Sequence, residues 1–105
     1  MRLKHINIVA RDANALARFY AHVFDCADLR PRTTLSENKI AKGMGLPRVT
    51  LYSIWLGLPG TDTPFIEIHQ HSDPAADINP RVDRPGYGHL AFEVADIHAT
   101  CAAIV

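Results

Sequence analysis

The phrase His5-Ile6-Asn7-Ile8-Val9-Ala10-Arg11-Asp12 recurs as His89-Leu90-Ala91-Phe92-Glu93-Val94-Ala95-Asp96. The offset is 84 residues (89 − 5), and the alignment needs no gap. Histidine meets histidine, apolar residues meet at alternate positions, and aspartate meets aspartate ahead of an Ala-rich stretch. Repetition at this distance signals a duplicated supersecondary unit, each copy opening with a strand and then a helix. The first copy has about eighty residues in which to complete itself. The second has 17, from His89 to Val105, and stops inside its helix. The expectation is a complete first module and a truncated second one. A full second module needs roughly seventy residues from Gly86, either beyond Val105 or borrowed from a partner.

Outward from the first phrase, Leu3 to Ala10 alternates like a half-buried strand. Asp12 offers a helix N-cap. Leu16, Phe19, Tyr20, Val23 and Phe24 then fall at i, i+3, i+4, i+7 and i+8, one apolar stripe on a helix of about twelve residues. Asp25 to Pro31 reads as a turn into a short strand. Leu35 to Pro47 is polar, with Gly43 and Gly45, and reads as a loop or a short helix. Val49 to Leu58 and Phe65 to His71 form a hairpin about Pro59-Gly60. Residues 1–71 are thus a first βαβββ module. Residues 72–85, with Pro74, Pro80 and Pro85, are a linker, and residues 86–105 begin a second module: a strand from Tyr87 to Val94, the cap Asp96 and a helix from Ile97. The fold class is α+β, paired βαβββ modules forming a curled mixed sheet with helices on the convex face.

Side chains alternate faces along a strand. Ile6 and Ile8 therefore oppose His5, Ile66 and Ile68 oppose Glu67, and Leu90 and Phe92 oppose His89. If the apolar pairs pack under helices, His5, Glu67 and His89 project into one concavity. Two imidazoles and a carboxylate are suitable ligands for a divalent metal: Zn, Ni, Co or Fe.

Composition excludes several classes. Eleven basic and eleven acidic side chains cancel, so no basic face is available for nucleic acid or an anionic membrane. No apolar run approaches the about 20 residues that span a bilayer. The N-terminus lacks a signal segment, and Cys26 and Cys101 have neither disulfide-framework nor thiolate-zinc spacing. A soluble cytoplasmic protein is the expectation.

The motifs His5-Ile6-Asn7-Ile8, Phe65-Ile66-Glu67-Ile68 and Gly86-Tyr87-Gly88-His89-Leu90-Ala91-Phe92 resemble the vicinal oxygen chelate superfamily. Its members include glyoxalase I, methylmalonyl-CoA epimerase, extradiol dioxygenases, and fosfomycin and bleomycin resistance proteins. The resemblance covers the whole chain. It implies that two modules pair into a cup, with His5, Glu67 and His89 as metal ligands. A last-strand carboxylate, which this sequence does not contain, completes the family's set. A glutamate at position 67 resembles the glyoxalase-like and epimerase-like members. It implies a lyase or isomerase that abstracts a proton α to a carbonyl through a metal-stabilised enediolate, with either Glu67, as ligand and base in turn, or the last-strand acid as the base. The resemblance also implies a small-molecule substrate, a glutathione or coenzyme A conjugate. The incomplete second module, with an unpaired strand edge and apolar surface, points to a homodimer. Two readings compete with this one: an Fe(II) extradiol-type dioxygenase, and a non-catalytic small-molecule binding protein of the bleomycin-resistance kind.

The remaining polar residues have plainer readings. Asp12 and Asp96 are helix caps. His69 and His71 share the parity of Glu67 but read as rim residues near the end of their strand. Glu93 reads as rim, and His22 and His98 as solvated. Arg30, Arg32, Lys39, Lys42 and Arg48 read as a solvated loop face, with gripping of a substrate's carboxylates or phosphates as the alternative. Trp55 lines either the core or the pocket.

Overall fold

Five strands and three helices make up the computed structural model, which describes residues 1–77 and 79–105. In chain order they are β1 (His5–Val9), α1 (Ala13–Phe24), β2 (Ala27–Asp28), β3 (Thr33–Leu35), α2 (Asn38–Met44), β4 (Leu51–Gly57), β5 (Phe65–His71) and α3 (Ile97–Ile104). The sheet runs β1-β5-β4-β2, and β3 pairs with β4 as well. β1 lies parallel to β5, and every other pairing is antiparallel. The result is the expected mixed α+β architecture, a curled sheet with α1 against one face.

The hairpin β4–β5 is the centre of the sheet. Register places Ile54 opposite Ile68 and Leu56 opposite Ile66, and these four side chains form the core with Ala13, Ala17 and Cys26. Burying each such aliphatic side chain contributes about 1.5–3 kcal/mol. On α1 the contact line differs from the expected stripe. Ala13 and Ala17 are the fully buried positions, with Leu16, Tyr20 and Phe24 packed around them, while Phe19 is largely exposed. Alanine lets the helix axis approach the sheet closely, and the larger residues then wedge at its flanks. Asp12 caps α1 as expected, its carboxylate accepting from the Ala15 N–H at 2.9 Å. The Ala13 N–H donates to Gln70 Oε1 at 2.9 Å, which ties the first turn to β5.

β2 and β3 follow the same edge of β4 in two pieces, with the backbone N–H of Leu29 bonded to the Trp55 carbonyl between them. Gly57 gives Leu29 room there: a Cβ would sit 2.6 Å from Leu29 Cδ2 and push that side chain aside. α2 resolves the loop-or-helix alternative in favour of a short helix, with Ala41 buried against Val49 and Leu51 in a second small cluster.

The second phrase is where the sequence reading fails. Residues 87–94 form no strand, because period-two alternation suits a strand but only a hydrogen-bonded neighbour makes one. They pass beside α1 instead, and Phe92 stacks on Phe24 with centroids 4.6 Å apart. α3 is capped by Asp96 as expected, through the His98 and Ala99 N–H groups. It packs on α1 rather than on the sheet, with none of its residues buried. The outer edge of β1 is thus left without a strand partner among the described residues. Among the described residues, no helix is long and apolar enough to cross a membrane.

Candidate active site on the sheet face opposite α1

The apolar side of β5 packs under α1, so the alternate residues Phe65, Glu67, His69 and His71 face the other way. Parallel pairing sets Asn7 beside Glu67 and His5 beside Phe65. On that face His5 Nε2 lies 3.9 Å from Glu67 Oε2. His5 and Glu67 therefore share the face that strand alternation assigns them. Asn7 Nδ2 donates to the Glu67 carbonyl at 3.1 Å and to its Oε1 at 3.5 Å, which steadies the carboxylate.

The nearest neighbour of Glu67 was misread as rim. His69 Nε2 stands 2.6 Å from Glu67 Oε1, and its side chain is only 9% exposed. Burial pulls the His69 pKa below its usual 6.5; the Glu67 carboxylate opposes this, and His71, His5 and Arg30 add to it. A neutral imidazole is therefore held beside a carboxylate that is itself 13% exposed. Both groups are close enough for a proton to pass between them.

Aromatic residues complete the face. Trp55, whose orientation the sequence left open, is on the site side as the register partner of Glu67, with its ring 4.5 Å from that of Phe65. Phe65 also touches the His5 ring at 5.1 Å. Arg30 lies over the indole at 3.6 Å from the ring centre, and its Nη2 donates to the buried Ser53 hydroxyl at 3.3 Å. Arg30 Nε and Trp55 Nε1 are buried without a partner. Each such stranded donor costs about 1–3 kcal/mol. At the far end of β5, a cavity of about 600 Å³ opens between Val9, Leu46, His71 and Pro74, with the Arg11–Asp77 ion pair on its wall.

His89 is not brought to this cluster. It is exposed in the unpaired segment, and it makes no hydrogen bond or ion pair among the described residues. A protein-held divalent metal needs three donors or more. No group of three His, Cys, Asp or Glu able to hold one occurs among the described residues. His5 and Glu67 supply two of the three implied donors, so the set as arranged does not fit a metal. Of the loop cations, Arg32 is tied to Asp28 and Asn14, and Lys39 to Glu37, so neither is free to grip a ligand. His69 was legible two residues after Glu67 with the same parity; only its burial was not.

Comparison with known proteins agrees with this architecture. A glyoxalase family protein from Bacillus cereus, known from its crystal structure, superimposes with a TM-score of 0.84 at 18% identity. The match covers 97% of this chain and 68% of that one. No curated protein matches the chain. The sequence profile of the Glyoxalase/Bleomycin resistance protein/Dioxygenase superfamily matches residues 2–105. With almost every residue inside that match, the chain belongs to this superfamily.

Proposed function

We propose that the protein is a lyase or isomerase of the glyoxalase type, with Glu67 moving a proton α to the carbonyl of a small substrate. The observation that carries this reading is the shielded Glu67–His69 pair at 2.6 Å, with His5 facing the other carboxylate oxygen. Glu67 takes the α-proton as the C–H bond breaks, and the electron pair moves onto the carbonyl oxygen as an enediolate. His69 accepts the proton from Glu67 or returns it, and exchange with water at the partly exposed carboxylate competes with return to carbon. Asn7 holds the carboxylate in place. Returned by Glu67 to the same carbon, the proton gives epimerisation as the oxyanion collapses back to the carbonyl. Delivered to the neighbouring carbon, it gives isomerisation, the hydroxyl on the first carbon passing its proton to the oxyanion as the new carbonyl forms. General acid–base catalysis of this kind contributes about 10²–10⁴-fold.

The metal set His5, Glu67 and His89 belongs to the assembled cup in this proposal. It requires residues 86–94 to carry His89 onto the site face, and the open edge of β1 is where a strand can pair. A homodimer, with each copy closing the other's open edge, is the matching assembly. The test is turnover of the glutathione hemithioacetal of methylglyoxal and epimerisation of an acyl-CoA thioester, by the wild type and by Glu67→Gln. Activity on either substrate that disappears in Glu67→Gln supports the reading. Turnover that survives the substitution overturns it.

A further inference from the structure

Arg30 differs from every other cation near the site. Half-buried, it forms no ion pair with a carboxylate among the described residues. Its charge is balanced by no acid; it rests over Trp55 and on the Ser53 hydroxyl. Two N–H donors at this one spot, Arg30 Nε and Trp55 Nε1, have no acceptor. A half-buried cation without an anion, beside stranded donors, is an incomplete binding site. Trp55 is the register partner of Glu67, so the incomplete site adjoins the proton-transfer group.

We propose that Arg30, with Trp55 and Ser53, seats a carboxylate of the substrate, making the substrate a 2-oxo or α-hydroxy carbonyl compound that bears a carboxylate group. The planar guanidinium matches a carboxylate in a two-point fork, the strongest charge-assisted hydrogen bonding available to a side chain. As the side chains now lie, Arg30 Nε and Trp55 Nε1 are shielded, so the carboxylate engages them as Arg30 tilts off the indole. The stack on Trp55 is exchanged for the fork, and the ligand cancels the guanidinium charge. Arg32 serves no such role, because Asp28 already fills its fork. The substrate's reacting carbon is thereby oriented toward Glu67. The assignment of a reacting carbon rests on the proposed function; the carboxylate seat itself rests on the geometry of Arg30 alone.

Trp55 is the sole tryptophan, so its fluorescence reports this site directly. The experiment titrates the full-length protein with pyruvate, acetate, acetamide and inorganic phosphate, without added metal. Pyruvate and acetate give a saturable fluorescence change, acetamide gives none, and phosphate binds more weakly than pyruvate. In Arg30→Gln the pyruvate affinity falls by about tenfold or more, and Arg30→Lys recovers part of it. Unchanged pyruvate affinity in Arg30→Gln, an equal response to acetamide, or preference for phosphate overturns the proposal. Circular dichroism confirms that each variant is folded, and Arg30→Lys carries the test should Arg30→Gln not be. Glu67→Gln separates the two claims: it keeps carboxylate binding while losing proton transfer. Binding through Arg30 without proton transfer in any variant leaves the seat standing and removes the proposed function.

Discussion

Glu67 Oε1 and His69 Nε2 lie 2.6 Å apart on one face of β5, and His5 Nε2 approaches the other oxygen of the same carboxylate at 3.9 Å. Residues two apart on a strand share a face, so the sequence Glu-Ile-His builds this pair with an isoleucine between them to anchor the strand in the core. Chemistry and packing are thus interleaved along seven residues. The core side is shut by α1, which leaves the chemistry to the opposite side.

Replacing Glu67 with glutamine keeps the shape and removes the base. The expected result is a kcat lower by about 10²–10⁴-fold with KM little changed. The fold remains, since Glu67 contributes nothing to the α1-side core. Steady-state kinetics with a thermal melt checks both halves.

The depressed pKa of His69 has a consequence for stability. In the unfolded chain this histidine takes up a proton near pH 6.5, whereas in the folded protein burial holds it neutral to lower pH. Below pH 6.5 the unfolded state therefore binds more protons, and stability falls until the folded-state pKa is passed. Above pH 6.5 both states are neutral at this position and the contribution is complete. His69→Gln flattens the pH dependence of Tm below 6.5 relative to the wild type. Melting curves between pH 5 and 8 measure the difference.

The two cysteines differ sharply in environment. Cys101 is exposed on α3, while Cys26 is buried in the main core, and burial together with Asp25 raises its thiol pKa above the usual 9.0. A thiol reagent at pH 8 labels one site quickly and the second only as the protein opens. Two equally fast sites contradict the packing of Cys26 against the α1–sheet interface.

Truncating Ile68 to alanine removes a fully buried side chain and costs about 2–5 kcal/mol. Phe92→Ala acts elsewhere: it removes the stack on Phe24 and loosens residues 86–105 while leaving the sheet intact. Amide hydrogen exchange then rises in α3 and stays slow in β4 and β5.

Much of this was legible in the sequence, for physical reasons that can be named. β1 and β5 announce themselves by alternation with β-branched residues, β4 by a short apolar run ended at Pro59-Gly60, and α1 by its cap and its 3.6-residue period. That His5 and Glu67 share a face follows from parity. Tyr87 to Val94 carries the same alternation and forms no strand, because alternation encodes faces and not partners. His69 resembled a rim residue because curvature and the packing of Ser53 and Arg30 around it are tertiary facts. Arg30 and Trp55 were visible as residue types, but their stacking follows Leu29, whose N–H bonds to the Trp55 carbonyl and whose side chain lies against Gly57, and no local pattern encodes that approach.

The central claim is that Glu67 moves a proton on a carbon next to a carbonyl, and solvent isotope exchange tests it most directly. The protein is incubated in D2O with a 2-oxo acid or with the hemithioacetal, with and without Zn, Ni, Co or Fe(II), and the α-hydrogen is followed by NMR. The account predicts incorporation of deuterium at that carbon by the wild type and none above background by Glu67→Gln. Equal exchange by both proteins contradicts it, and so does ring cleavage of a catechol with oxygen uptake by Fe(II)-loaded protein that exchanges no α-hydrogen.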